Sequence, residues 1–203
     1  MTSRFLNLVF TPSVKAAQQH NGSRDAYGRR DGATEADRLT ENETQFIATR
    51  DSIYLASVGA GGWPYIQHRG GPPGFLKIFS DRSIAFADYR GNRQYVSIGN
   101  LADDNRIAVF MMDYARRARL KLLGRARTVD LATAPELAAA LIDKEYRAKV
   151  ERGIIIDVEA FDWNCPQHIT PRYTLAEIEL SMSALKRRIS ELEAEVAMLR
   201  RSG

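Results

Sequence analysis

The chain has very little cysteine and histidine. Of its 203 residues one is cysteine, Cys165, which excludes an intrachain disulfide and a zinc site built on thiolates. The three histidines, His20, His68 and His168, are too widely spaced for a histidine metal cluster. No apolar run approaches the ~18 residues of a membrane span, so no membrane partner is expected. The opening MTSRFLNLVF lacks the length and cleavage site of a secretory signal, and a reduced cytoplasmic location is the expectation. Charge of one sign is also scarce. Lys and Arg number 29 against 25 Asp and Glu, a net charge of +4. The excess is carried by clustered arginines, which suits an anion site better than a polyanion coat.

A hydrophobic content of 44% and a length of 203 residues suit one domain with an appendage. A domain of this size buries roughly 70% of its unfolded surface and needs no staples. Residues 1–39 are polar and basic and read as an N-terminal arm. Within it Thr11-Pro12 opens a helix that closes near Asn21-Gly22, and 22–37 reads as irregular. Thr40-Glu41-Asn42-Glu43 is a capping box, and it predicts a helix over 41–50.

A β-rich block follows. Segments 52–58 and 63–69 flank the Gly59–Gly62 turn, and 75–79 and 83–88 flank Ser80-Asp81-Arg82. Segments 106–113, 119–129 and 153–161 are further strands by alternation or β-branched content. Helices are expected over 92–101 and 134–142. Long helices do not alternate regularly with the strands, so the fold expected is mainly β (α+β): a split barrel of about six antiparallel strands with short flanking helices.

The segment 173–203 differs in kind. Leu175, Met182, Ile189 and Val196 repeat every seven residues, as do Ile178, Leu185, Leu192 and Leu199. These are the a and d positions of a heptad seam on a helix ~40 Å long. In parallel strands Arg188 meets Glu193 and Glu195 meets Arg200. The seam predicts a coiled coil, and hence association of helices; the alternative is one amphipathic helix packed on the barrel.

Three clusters offer chemistry. In the first, a strand ends in Gln67-His68-Arg69 and runs into Gly70-Gly71-Pro72-Pro73-Gly74, where glycine admits a ligand close to the backbone. In the second, Ala87-Asp88 leads through Gly91 to Asn92-Arg93-Gln94 at a predicted helix start, where free N–H groups and a guanidinium favour an anion. In the third, Arg117, Arg119 and Lys121 share one face of a strand. That third run lacks interleaved aromatics, so no nucleic-acid partner is expected.

The order of elements and these motifs resemble the pyridoxamine 5′-phosphate oxidase-like proteins of the FMN-binding split-barrel fold, over roughly residues 40–172. In that family a Pro-x-x-Arg-type strand precedes an apolar strand ending in Lys. Here Trp63-Pro64-Tyr65-Ile66-Gln67-His68-Arg69 and Phe75-Leu76-Lys77 occupy that region. The family's Ser-Arg-Lys phosphate turn corresponds to Asn92-Arg93-Gln94, with Gln94 in place of the second cation. Asn100 falls where the family has an Asn that follows this helix. Arg119 lies near the family's flavin-contacting Gln. Trp163 and Arg172 fit the spacing of a Trp and an Arg beside the flavin, with Asn164, Gln167 and His168 between them.

The resemblance implies a homodimer binding FMN between its two copies. Gln67, His68, Arg69, Gly70, Ala87, Asp88, Asn92, Arg93, Gln94, Arg119, Trp163, Asn164, Gln167, His168 and Arg172 are the candidate cofactor-binding residues. It further implies an oxidoreductase acting on a small-molecule substrate or electron donor. The oxidases also carry an Arg-x-His pair near the C-terminus for the pyridoxal phosphate substrate. This chain passes from Arg172 through Tyr173-Thr174 into the heptads, so a substrate other than pyridoxamine phosphate is expected. A non-catalytic flavin carrier or sensor is the alternative, and a deazaflavin or heme the alternative flat ligand. No catalytic residue and no metal ligand is assigned.

Overall fold

The computed structural model describes residues 3–28, 35–163 and 166–202. They fall into two compact units, Met1–Asp113 with Ala118–Pro166, and Tyr114–Arg117 with Gln167–Gly203.

The first unit is built on seven antiparallel strands: β1 (Ser52–Val58), β2 (Pro64–Gly70), β3 (Lys77–Ser80), β4 (Ser83–Tyr89), β5 (Arg106–Asp113), β6 (Ala118–Val129) and β7 (Val150–Trp163). Every expected strand segment is present. The count is seven instead of about six, and β7 starts three residues earlier than the apolar run suggests. The order is β2-β1-β5-β6-β7-β4-β3, so β2 and β3 are edges that do not pair. The sheet curls until Arg69 on the first strand of that order meets Asp88 on the sixth, 2.5 Å apart. The barrel is closed there by side chains, which is what makes it split.

Strand alternation explains the core. Ile53 and Leu55, Ile84 and Phe86, Val109 and Met111, Leu120 and Leu122, and Ile154 and Ile156 all point into one interior cluster. A register shift at Leu123/Gly124 changes the phase of β7, so Ala160 faces out and Phe161 faces in. Gly124 sits at that shift, where a Cβ would lie 2.6 Å from the Asp157 carbonyl oxygen.

Helices α1 (Ser3–Val9), α2 (Pro12–His20) and α3 (Arg24–Tyr27) precede the barrel. The α2 cap is as expected: Thr11 Oγ1 accepts from Val14 N at 3.3 Å, and Pro12 stands at the first position. Helix α1 is not anticipated by the sequence reading. Its Phe5 and Leu6 are buried against Ala160 and Leu123 on the outside of the barrel, and Lys121 Nζ lies 4.7 Å from the Phe5 ring centre. The segment 22–37, read as irregular, carries the short α3.

Helix α4 (Glu41–Ala48) has the predicted capping box and ends two residues early. Helix α6 (Pro135–Leu141) agrees with its expectation, and Leu141 covers Ala85 and Ala87. The helix expected over 92–101 is corrected: α5 spans Val96–Asp103. Asn92 Oδ1 accepts from Gln94 N at 3.1 Å, and Arg93 and Tyr95 are left-handed with φ of 62° and 54°. That local turn cannot continue into a right-handed helix, so residues 92–94 are not its first turn. In the second unit, α7 (Leu175–Ser202) carries the heptads and opens on a capping box between Thr174 and Glu177.

Candidate functional site

The inward faces of β2, β4 and β7 end in polar residues. Arg152 continues the face of Ile154 and Ile156, Asp88 that of Ile84 and Phe86, and Gln67 and Arg69 lie along β2. Together they form a polar plug at one mouth of the barrel. Gln67 Oε1 accepts from Ser97 Oγ of α5 at 2.9 Å. Asp88, buried, pairs through Oδ1 with Arg69 and faces Arg152 Nε with Oδ2 at 3.4 Å. Burial holds the Asp88 carboxyl above the ordinary carboxylate range, although Arg69 and Arg152 oppose that shift. The Nε atoms of Arg69 and Arg152 are buried without a hydrogen-bond partner.

Outside the plug lies a second ring of charge. Arg90 Nε donates to Glu151 Oε1 at 2.8 Å, and the Tyr95 hydroxyl donates to the same oxygen at 3.2 Å. The Arg90 hydrogen bond leads the set of contacts that hold the Glu151 carboxyl below its ordinary range. Arg93 Nε donates to the Tyr95 hydroxyl at 3.2 Å, and Arg152 stacks over the Tyr95 ring at 5.1 Å. Gln67, Arg69, Asp88, Asn92, Arg93, Tyr95 and Glu151 line a cleft of about 30 Å³. Arg69 and Arg93 line the cleft with Asp88 and Glu151; Arg90 and Arg152, which pair with those carboxylates from beside it, bring the group to four guanidiniums against two carboxylates, two positive charges in excess. Arg93 and Tyr95 both hold left-handed backbone at the rim, a conformation costly for side-chain-bearing residues that recurs at ligand clamps.

The cleft therefore gathers Gln67, Arg69, Asp88, Asn92 and Arg93 from the sequence candidates. Exposed Gln94 is their chain neighbour. Others lie elsewhere. His68 points to the outer face of β2, its ring 5.6 Å from that of Tyr54. Gly70 packs against the Asp51 carbonyl oxygen, and Ala87 is buried under α6. Arg119 lies over the Phe110 ring at 6.0 Å. Trp163 donates Nε1–H to buried Glu43 at 2.6 Å and meets Phe46 edge-on. Asn100, singled out by the resemblance, ties α5 to β1 through Ser57 Oγ at 2.9 Å.

Gln167, His168 and Arg172 belong to the second unit, where Arg172 stacks on Tyr114 at 4.8 Å. Asn164 lies outside the described residues. Sequence reasoning missed Tyr95, Glu151 and Arg152. The available signal was the charged pair immediately before the apolar run of β7. No group of three or more metal-ligating side chains occurs among the described residues, and no described helix is long and apolar enough to cross a membrane.

The fold is a split barrel of antiparallel strands whose open seam is bridged by the Arg69–Asp88 ion pair beside a small charged cleft. Residues 39–167, more than half of the chain, match the family described as pyridoxamine 5′-phosphate oxidase, and the chain belongs to that family. No curated protein matches it. Among solved structures it is similar to HupZ of Group A Streptococcus, at 17% identity, 66% of this chain, 100% of that chain and TM-score 0.47. It is similar to a putative pyridoxamine 5′-phosphate oxidase of Lactobacillus delbrueckii, at 17%, 62%, 93% and 0.47. HutZ of Vibrio cholerae, described as a heme storage protein, gives 14%, 62%, 94% and 0.39.

Proposed function

We propose that the chain is an FMN-binding flavoprotein oxidoreductase, working as a homodimer, whose substrate is not pyridoxamine phosphate. The observation that carries this reading is the surplus of two positive charges around the Arg93 cleft, which the phosphate dianion of FMN balances. Arg93 projects from a fixed turn and offers its terminal nitrogens to a phosphate in a charge-assisted bond. Asn92 and Gln94 supply further amide donors beside it.

The cleft fits the phosphate end only. At about 30 Å³ it is far smaller than the roughly 300 Å³ and more that a drug-sized ligand occupies. The ring therefore lies outside it and needs a second wall. The outer face of β1 and β2 leaves Tyr54, Val58 and Ile66 exposed, with Trp63 exposed in the turn between them, an apolar surface that a second copy covers. Bound FMN supplies hydride or electron transfer; this chain positions it by the phosphate, screens the ring from water and sets the local field. Proton movement needs a group from the substrate or from outside the cleft, since both carboxylates lining it are held by arginines.

That last point supports a second reading, a flavin carrier or sensor without turnover. A nicotinamide donor that bleaches bound flavin, followed by reoxidation with an added acceptor, selects the enzyme; flavin inert to every donor selects the carrier. The shared premise is checked first by the absorption spectrum of the purified, FMN-supplemented protein, which is expected to be yellow after gel filtration. Arg93→Ala is expected to weaken FMN retention at least about tenfold, the loss of one charge-assisted contact. Undiminished retention removes Arg93 from the phosphate site.

A further inference from the structure

Helix α7 is a 28-residue helix whose eight seam residues are all exposed, from 40% at Ile178 to 79% at Leu175. A helix gains most of its stability from packing an apolar face, and no described residue of its own unit covers this one. Ile189, Leu192 and Val196 line an apolar groove that Glu193 and Arg200 flank.

We infer that α7 pairs in parallel, in register, with α7 of a second copy of this chain. Three features select that occupant. First, the seam runs unbroken through four heptads at alternating steps of three and four, the geometry of knobs-into-holes packing. An anchor for a globular surface needs no such regularity. Second, the C-terminal half has Ile189 and Val196 at a with Leu192 and Leu199 at d, the arrangement that favours two parallel strands. Third, the flanking charges are complementary between copies. Arg188 at g faces Glu193 at e of the second copy, and Glu195 faces its Arg200, on both sides of the two-fold axis. Within the single helix Arg188 reaches Glu191 at 3.2 Å, while no ion pair is recorded for Glu193 among the described residues. With the whole seam 175–199 overlapped antiparallel, Arg188 would face Arg188, which opposes that arrangement.

The inference stands apart from flavin binding, and its test does not use flavin. The full-length chain is made with Cys165→Ser and one added cysteine, then oxidised gently and run without reductant. With Leu199→Cys, at d, most of the protein is expected as a disulfide-linked dimer. With Arg187→Cys, on the opposite face, it is expected to remain uncrosslinked. Adding Ile189→Glu to Leu199→Cys is expected to abolish the crosslink while the barrel stays folded, since Ile189 is exposed in a single chain. Equal crosslinking of Leu199→Cys and Arg187→Cys overturns the inference, as does its absence from Leu199→Cys. Crosslinking only in a mixture of Leu175→Cys and Leu199→Cys chains assigns antiparallel pairing and overturns it equally.

Discussion

Replacement of Arg69 by methionine is expected to lower folding stability by about 3–5 kcal/mol, the scale of breaking one side of a buried ion pair. Asp88 is only 4% exposed, and among the described residues the other cation paired with it is Arg152, at 3.4 Å. The contact is also topological. Arg69 and Asp88 link β2 to β4 across the open seam, so their loss loosens the β2 edge. The pH dependence has a definite sign. Asp88 already titrates above the ordinary carboxylate value because it is buried, so the folded state binds its proton more readily than the unfolded chain. Its contribution to stability is fully present in acid and falls as pH rises through the folded value. Removing Arg69 raises that value further. The deficit of the variant is therefore smallest in acid and grows toward neutral pH in urea melts. Arg69→Met with Asp88→Leu is expected to recover most of the loss, because an apolar pair of similar volume carries no desolvation cost. A single variant as stable as the parent at pH 7 would show that the seam is not held by this pair.

The second large effect is expected at Glu43. Its carboxylate accepts from Trp163 Nε1 at 2.6 Å, from Thr40 N at 2.9 Å and from Thr40 Oγ1 at 2.5 Å, and it is buried. It joins the cap of α4 to the last residue of β7. Glu43→Ala leaves the indole N–H and the cap amide without an acceptor and is expected to cost roughly 2–3 kcal/mol. Burial acts to raise the Glu43 carboxyl, but the hydrogen bonds from Thr40, Trp163 and Asn42 outweigh it and hold the group below its ordinary value of 4.5. A depressed folded value means that this stabilisation is present above the ordinary value and is lost as pH falls through it toward the folded value. The gap between the parent and Glu43→Gln in denaturant melts, followed by tryptophan fluorescence, should therefore close on acidification. A gap that widens in acid contradicts the assignment.

These two sites also show what the sequence made legible. The strands stand out because alternation and glycine turns are local signals, and β1 and β5 fall where the pattern puts them. The capping box at Thr40 and Glu43 is equally local, but the second partner of Glu43 lies 120 residues away and leaves no trace in spacing. The same holds for Arg69 and Asp88, which meet only because the sheet curls. Helix α1 is held by Phe5 and Leu6 against the barrel, a tertiary cause. Residues 92–94 look like a helix start by composition. The Asn92 side chain instead captures Gln94 N and turns the backbone left-handed. The arginines there were visible, but Glu151 and Arg152 were not, because the apolar run that marks β7 begins only after them.

The central claim is that a phosphate is gripped at the Arg93 cleft while the ring rests outside it. Parallel titrations with FMN and riboflavin, followed by quenching of flavin fluorescence, test this directly, because the two ligands share the ring and differ in the phosphate. The account predicts micromolar or tighter binding of FMN, with riboflavin weaker by at least about tenfold. Equal binding of the two, or no binding of FMN, would contradict it.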